Sequence, residues 1–160
     1  MEFEALFQKF SLENFCPNIV YFSLLRQFYE IRIMEMFVKY KKYLHIFSSC
    51  NRNFRVHKDR PKTLWCGECP KCVFAWILLS AFLEKDELVS IFQKNLYKDE
   101  NLLPLFNNIL GYGKMKPFDC VGTFEESQAA FYMAIEKFKE GVYNSSESRT
   151  ANSMSQEKFT

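Results

Sequence analysis

The sequence predicts an all-α chain held by a four-cysteine metal knuckle, and three observations predict it. Helical hydrophobic periods dominate while turn residues are scarce, five Gly and five Pro in 160 residues. The longest apolar run, Val73 to Leu83 (VFAWILLSAFL), covers eleven residues, too few to cross a bilayer and suited to a buried core helix. Cys66, Cys69 and Cys72 fall within WCGECPKC, and Cys50 closes the segment ahead of a short basic loop.

Glu2 to Phe10 reads as a short helix with Phe3, Leu6, Phe7 and Phe10 on one face, broken by Pro17-Asn18. Ile19 to Leu24 is an extended segment or the lead into the next helix, with Ser23 a candidate N-cap. Arg26 to Tyr40 carries Phe28, Ile31, Met34 and Val38 at helical spacing, and Lys42 to Phe47 is a short amphipathic piece. Residues 51–65 form a basic loop, and Cys72 to Leu83 is the buried helix. Asp86 is expected to cap a helix from Glu87 to Leu96, and Asn101 to Leu110 another, stopped by Gly111-Tyr112-Gly113. Lys114 to Gly122 (KMKPFDCVG) is a loop. Thr123 and Glu126 then form a capping box that opens a helix to about Lys139. The domain is drawn at residues 1–143 with its knuckle at 50–72, and residues 144–160 hold too few apolar side chains to pack and read as a disordered tail.

The chain is 48% hydrophobic and 18% aromatic with eighteen Phe, more apolar surface than one small domain hides, which an absent partner domain would explain. A net charge of +2 supplies no global field for nucleic acid. No secretory leader is legible at Met1, because Glu2, Glu4, Gln8 and Lys9 interrupt the apolar residues.

Cysteines two residues apart can converge on one ion, with Gly67 and Pro70 supplying the turn. Four thiolates complete a closed tetrahedral Zn²⁺ site, structural because no ligand position stays open. The alternatives are two disulfides, which need an oxidising compartment, and redox chemistry by one CxxC, which leaves the other cysteines idle. Arg52, Arg55, His57, Lys58, Arg60 and Lys62, clamped between Cys50 and Cys66, suit a phosphate or carboxylate as well as they suit solvent. Lys71 lies inside the knuckle with the same two readings.

Cys120, just before a helix N-terminus, reads as a buried small hydrophobe or as a thiolate base. Glu125 is open between helix-dipole and acid/base roles, whereas Glu126 is assigned to the cap. Glu30 and Glu35 read as solvated, His45 lacks metal-ligand spacing, and His57 is a reserve ligand. No GxxxxGK[ST], GxGxxG or pyrophosphatase loop is present.

YFSLLRQ (Tyr21 to Gln27), SSCNR (Ser48 to Arg52), WCGECPKC (Trp65 to Cys72) and KPFDCVGTFEES (Lys116 to Ser127) occur in that order. Together they resemble the C-terminal part of the bacterial UDP-N-acetylmuramoyl-L-alanyl-L-glutamate epimerases, over about residues 15–140. The knuckle alone is also similar to that of 7-cyano-7-deazaguanine synthase, another member of the ATP-pyrophosphatase-loop superfamily. The resemblance implies a cytoplasmic enzyme of peptidoglycan synthesis, and so of cell-wall biogenesis, cell shape and division. It would convert the terminal L-Glu of UDP-MurNAc-L-Ala-L-Glu to D-Glu with ATP and Mg²⁺. Family members carry an N-terminal α/β ATP-loop domain, so this chain is expected to be a fragment that packs on that domain and is inactive alone. The resemblance further implies Cys50, Cys66, Cys69 and Cys72 as zinc ligands. Arg26, Arg52, Lys71 and Lys116 follow as anion-binding candidates, and Cys120 with Glu125 as candidates for proton transfer. The competing functions are a zinc-stabilised RNA- or phosphate-binding module and part of another ATP-loop ligase modifying tRNA or nucleobases. Membrane partners are not expected, and the near-neutral charge argues against nucleic acid.

Overall fold

A computed structural model describes residues 2–56 and 60–139; the expected tail at 144–160 and the reserve ligand His57 lie outside the described residues. The architecture is mainly helical, with no strand among the described residues. Its centre is α3 (Pro70–Ser80), in which every side chain from Cys72 to Ser80 is buried. A helix apolar all round belongs inside, and α2 (Glu30–Phe37), α4 (Lys85–Phe92) and α5 (Leu103–Ile109) pack around it. The last helix, α6 (residues 124–139), buries Ala130 and Ala134. It is tied down by Gln128 donating to the Leu110 carbonyl at 2.8 Å and by Lys137 donating to that of Leu83.

Edge-to-face and tilted rings run through the core in one series. Phe37 meets Phe47 at 4.6 Å between centroids, Phe47 meets Trp65 at 5.2 Å, and Trp65 meets Phe92 at 4.8 Å. Trp76, Tyr97 and Phe106 continue the series, each 5.2–5.5 Å from the ring before it. Such geometry contributes about 0.5–1.5 kcal/mol per pair beyond burial, so much of the aromatic excess serves the core. The remainder does not. Helix α1 (Glu2–Asn14) buries only Ser11. It packs Phe3 and Phe7 on Tyr21, while Gln8 donates to the Ile19 carbonyl and accepts from the Tyr21 N–H. Glu4 accepts from the Ser23 N–H and pairs with Arg26. This arm leaves Phe15, Val20, Phe22 and Leu24 between 65% and 74% exposed.

Several boundaries differ from the expected ones. The stretch from Arg26 begins as turns, and α2 starts only at Glu30. Its N-cap residue Tyr29 offers no side-chain bond; the Glu30 N–H instead donates to Glu126 Oε1 at 2.6 Å. That cap comes from 96 residues away, so the boundary is tertiary in origin. Glu84, not Asp86, occupies the N-cap of α4, and Asp86 sits in the first turn, where a negative charge favours the helix dipole. The helix stops at Gln93, which takes the left-handed conformation (φ 60°) that glycine usually supplies. Asp99 caps a 3-10 turn at Glu100–Leu102, and α5 follows with Pro104 in its first turn. The reading at Thr123 holds: its N–H donates to Glu126 Oε2 at 3.0 Å, and the Glu126 N–H to Thr123 Oγ1 at 3.2 Å. Among the described residues no helix is long and apolar enough to cross a membrane.

Candidate functional site

Four elements of sequence converge at the N-terminal end of α3. Cys72 belongs to its first turn, and Cys69 precedes it in an extended conformation that Pro70 at the helix start accommodates. Gly67 turns the chain between Cys66 and Cys69 with φ +68°, a left-handed conformation that favours glycine. Cys50 arrives from the far end of the basic loop, its position fixed by Ser48, whose hydroxyl donates to the Leu64 carbonyl and accepts from the Cys50 N–H.

The four sulfurs lie within 4.8 Å of one another, with Cys50, Cys69 and Cys72 buried and Cys66 half-buried. Cys69 is 3.4 Å from Cys72 and 3.9 Å from Cys50, and Cys66 is 3.7 Å from Cys72. Four ligands each ~2.3 Å from one tetrahedral ion stand ~3.8 Å apart, so the cluster can hold a metal. All six cysteines are free, and these separations are far beyond the roughly 2.05 Å of a disulfide bond.

Electrostatics support cation binding. The close contact with Cys72 holds the Cys69 thiol down to about 4 and pushes that of Cys72 far up, while burial raises Cys66. One thiolate is therefore tolerated and further ones are resisted until positive charge enters. Backbone N–H groups of Cys66 and Glu68 point at Cys50 Sγ and Cys66 Sγ at 3.4 and 3.5 Å. Such donors favour sulfur in its charged, ligating form.

The anion-binding candidates scatter. Arg52 pairs with Glu68 on the knuckle, which raises the guanidinium further. Lys71 is half-buried in the first turn of α3. Arg26 pairs with Glu4 on the α1 arm and shares no contact with the cysteines. Lys116 lies 5.3 Å from the Phe124 ring centre, beside Glu125. The Glu125 carboxyl is held below its usual range, first by its own backbone N–H, then by the Thr123 hydroxyl, with Lys116 adding attraction. Cys120 is exposed, not the buried hydrophobe that free cysteine commonly is.

Sequence reasoning missed the contacts that join these parts. Asn51 donates through Nδ2 to Asp119, linking the loop of Cys120 to the cysteine segment. Glu126 bridges the starts of α2 and α6. Both residues adjoin or lie within the motifs singled out by resemblance, yet no spacing rule couples positions 68 or 96 residues apart.

Residues 46–157 match the family model described as the MurL C-terminal domain. A UDP-N-acetyl-alpha-D-muramoyl-L-alanyl-L-glutamate epimerase of Xanthomonas oryzae pv. oryzae (strain MAFF 311018) is 39% identical over 128 residues, 80% of this chain and 28% of its own length. Another of the same name, from Micromonospora sp. (strain ATCC 39149 / NRRL 15099 / SCC 1413), is 34% identical over 137 residues, 86% of this chain and 30% of its own length. A third, from Salinispora tropica, is 36% identical over 117 residues, 73% of this chain and 25% of its own length. The chain thus spans less than a third of the curated relatives it matches. No solved structure matches it. The match over 46–157, more than half of the 160 residues, means that the chain belongs to the MurL C-terminal domain family.

Proposed function

We propose that this chain is the C-terminal part of an epimerase acting on the terminal glutamate of a UDP-MurNAc-L-Ala-L-Glu substrate. The observation that carries the reading is the 39% identity across 80% of the chain to a relative of that name. Membership in peptidoglycan synthesis, with its consequences for cell shape and division, follows from that substrate. A reducing cytoplasm suits six free cysteines.

The chemistry sets a clear demand. A carboxylate makes its neighbouring C–H hard to deprotonate; ATP with Mg²⁺ would supply an adenylated carboxyl, pyrophosphate leaving, whose α-proton is far more acidic, and water would afterwards release AMP. Inversion then needs a group that takes a proton from one face and a source that returns one on the other. In this reading Cys120 Sγ is the candidate for taking the proton, since Glu125 is held below its usual range and stays ionised and hydrogen-bonded. Glu125, ionised at neutral pH, accepts hydrogen bonds and offsets part of the Lys116 charge, leaving Lys116 and Lys71 to meet phosphate or carboxylate oxygens, joined by Arg52 only if its pair with Glu68 opens. Arg26 serves such a role only if its pair with Glu4 opens.

The cysteine cluster takes Zn²⁺ as a structural ion, because four sulfurs leave no coordination position for substrate. The exposed apolar surface of the α1 arm packs against an α/β ATP-loop domain, as patches of this kind mark interaction sites. An RNA-binding role is not favoured: Arg52 is engaged with Glu68, and no strand platform exists among the described residues on which bases could stack.

The test supplies this chain with the ATP-loop portion of the Xanthomonas relative, ATP, Mg²⁺ and the L-Glu substrate, then hydrolyses the product and resolves glutamate enantiomers. D-Glu appears with the pair and is absent with either part alone. A reconstituted pair that binds ATP yet leaves the stereocentre untouched would overturn the assignment.

A further inference from the structure

The segment Cys50–Asn51–Arg52 sends three consecutive residues to three places. Cys50 enters the sulfur cluster, and Arg52 pairs with Glu68 on the knuckle. Asn51 does two things at once. Its backbone follows Cys50 directly, and its side-chain amide donates to the Asp119 carboxylate. Asp119 in turn shapes the loop ahead of α6, its carbonyl accepting from the Val121 N–H at 2.7 Å in a tight turn that leaves Cys120 exposed at its apex. Beyond the turn the chain is pinned again: Val121 is buried, and a Cβ on Gly122 would sit 2.8 Å from the Phe74 ring of α3. The Cys120 turn therefore has one fixed end on α3 and the other on Asn51.

We propose that Asn51 is a positioning residue that ties the Cys120 turn to the metal cluster, so that metal retention and the placement of the Cys120 thiol are coupled through the Asn51–Asp119 bond. The coupling has a direction that chemistry dictates. An ion fixing Cys50 fixes the Asn51 backbone that follows it, and with it the partner of Asp119. Linkage requires the reverse as well: whatever releases Asp119 loosens the hold on the ion. The proposal takes the cluster as a zinc site and does not depend on the epimerase reading, because neither measurement below requires turnover.

Asp119→Ala is the decisive variant, since it breaks the bond without touching a sulfur of the cluster or a chain neighbour of one. With the zinc-loaded chain, two rates are measured: alkylation of Cys120 by iodoacetamide, followed by mass spectrometry of its peptide, and transfer of zinc to a colorimetric chelator. Loss of one side-chain hydrogen bond should raise both by roughly 2- to 10-fold. Asn51→Ala should do the same, and the double variant should add nothing to either single change. Lys114→Ala, in the same loop but outside the link, should move neither rate. Should Asn51→Ala fail to fold, the zinc-transfer rate of Asp119→Ala decides alone, because removing the carboxylate beside Cys120 acts on that thiol directly. Unchanged rates in Asp119→Ala, or a double variant whose effects multiply as independent changes, would overturn the proposal.

Discussion

Tyr97 shows how one residue converts burial into a pH dependence. It sits among Trp76, Phe106 and Phe131, with its hydroxyl 2.8 Å from that of Ser80. Burial pushes its pKa up to about 12, against an unfolded value near 10. The neutral phenol is the form that the core accepts. Between the two values the folded state keeps a proton that the unfolded state loses, so stability falls as pH rises from 10 to 12 and is fully present below 10. Two pKa units correspond to about 2–3 kcal/mol. Tyr97→Phe should unfold in urea with a midpoint lower than wild type at pH 8, through loss of the Ser80 bond, and with a shallower decline between pH 10 and 12. Midpoints recorded across that range check both signs.

Among the elements, α2 and α6 depend on one carboxylate. Glu126 is buried and divides its two oxygens between the Glu30 N–H of α2 and the Thr123 N–H of α6. Hydrogen bonds to a charged acceptor contribute roughly 1.5–3 kcal/mol each, and N-caps about 1. Glu126→Ala should therefore cost about 2–4 kcal/mol of unfolding free energy. Glu126→Gln keeps one carbonyl oxygen but turns an amide donor toward the other N–H, so it should fall between wild type and alanine. Urea denaturation of the three proteins gives that order. Hydrogen exchange should locate the damage at the first turns of both helices together, since the two share an acceptor.

For the whole molecule, the cysteine cluster fastens residues 50–72 to the start of the central helix. Trp65, next to Cys66, carries the aromatic series from Phe47 to Phe92. An ion held there would tie the loop end to Trp65, so its removal should free both at once. With zinc bound, metal analysis should return one Zn per chain. A strong chelator, or Cys69→Ser, should abolish the cooperative transition, because apparent zinc binding energies of ~10–16 kcal/mol equal or exceed a domain's whole stability of ~5–15 kcal/mol. Cys16→Ser is the control and should leave metal content unchanged. Acidification should release the ion as protons compete for the sulfurs.

The sequence by itself determined the mainly helical class, the buried helix that WCGECPKC runs into, the capping box at Thr123 and the four sulfurs as one set. Each of these rests on residues within a few turns of one another, where periodicity, glycine and proline punctuation and ligand spacing act locally. Motif resemblance also pointed to the family to which the chain belongs. Only the tertiary structure decided that α2 begins at Glu30, that α4 ends on a left-handed Gln93, and that Arg26 and Arg52 are engaged by Glu4 and Glu68. It alone joined Asn51 to Asp119 and so the cysteine segment to the Cys120 turn. The reason is physical. A buried N–H must find an acceptor, and a loop a fixed end, but which side chain satisfies them depends on where packing brings distant residues together.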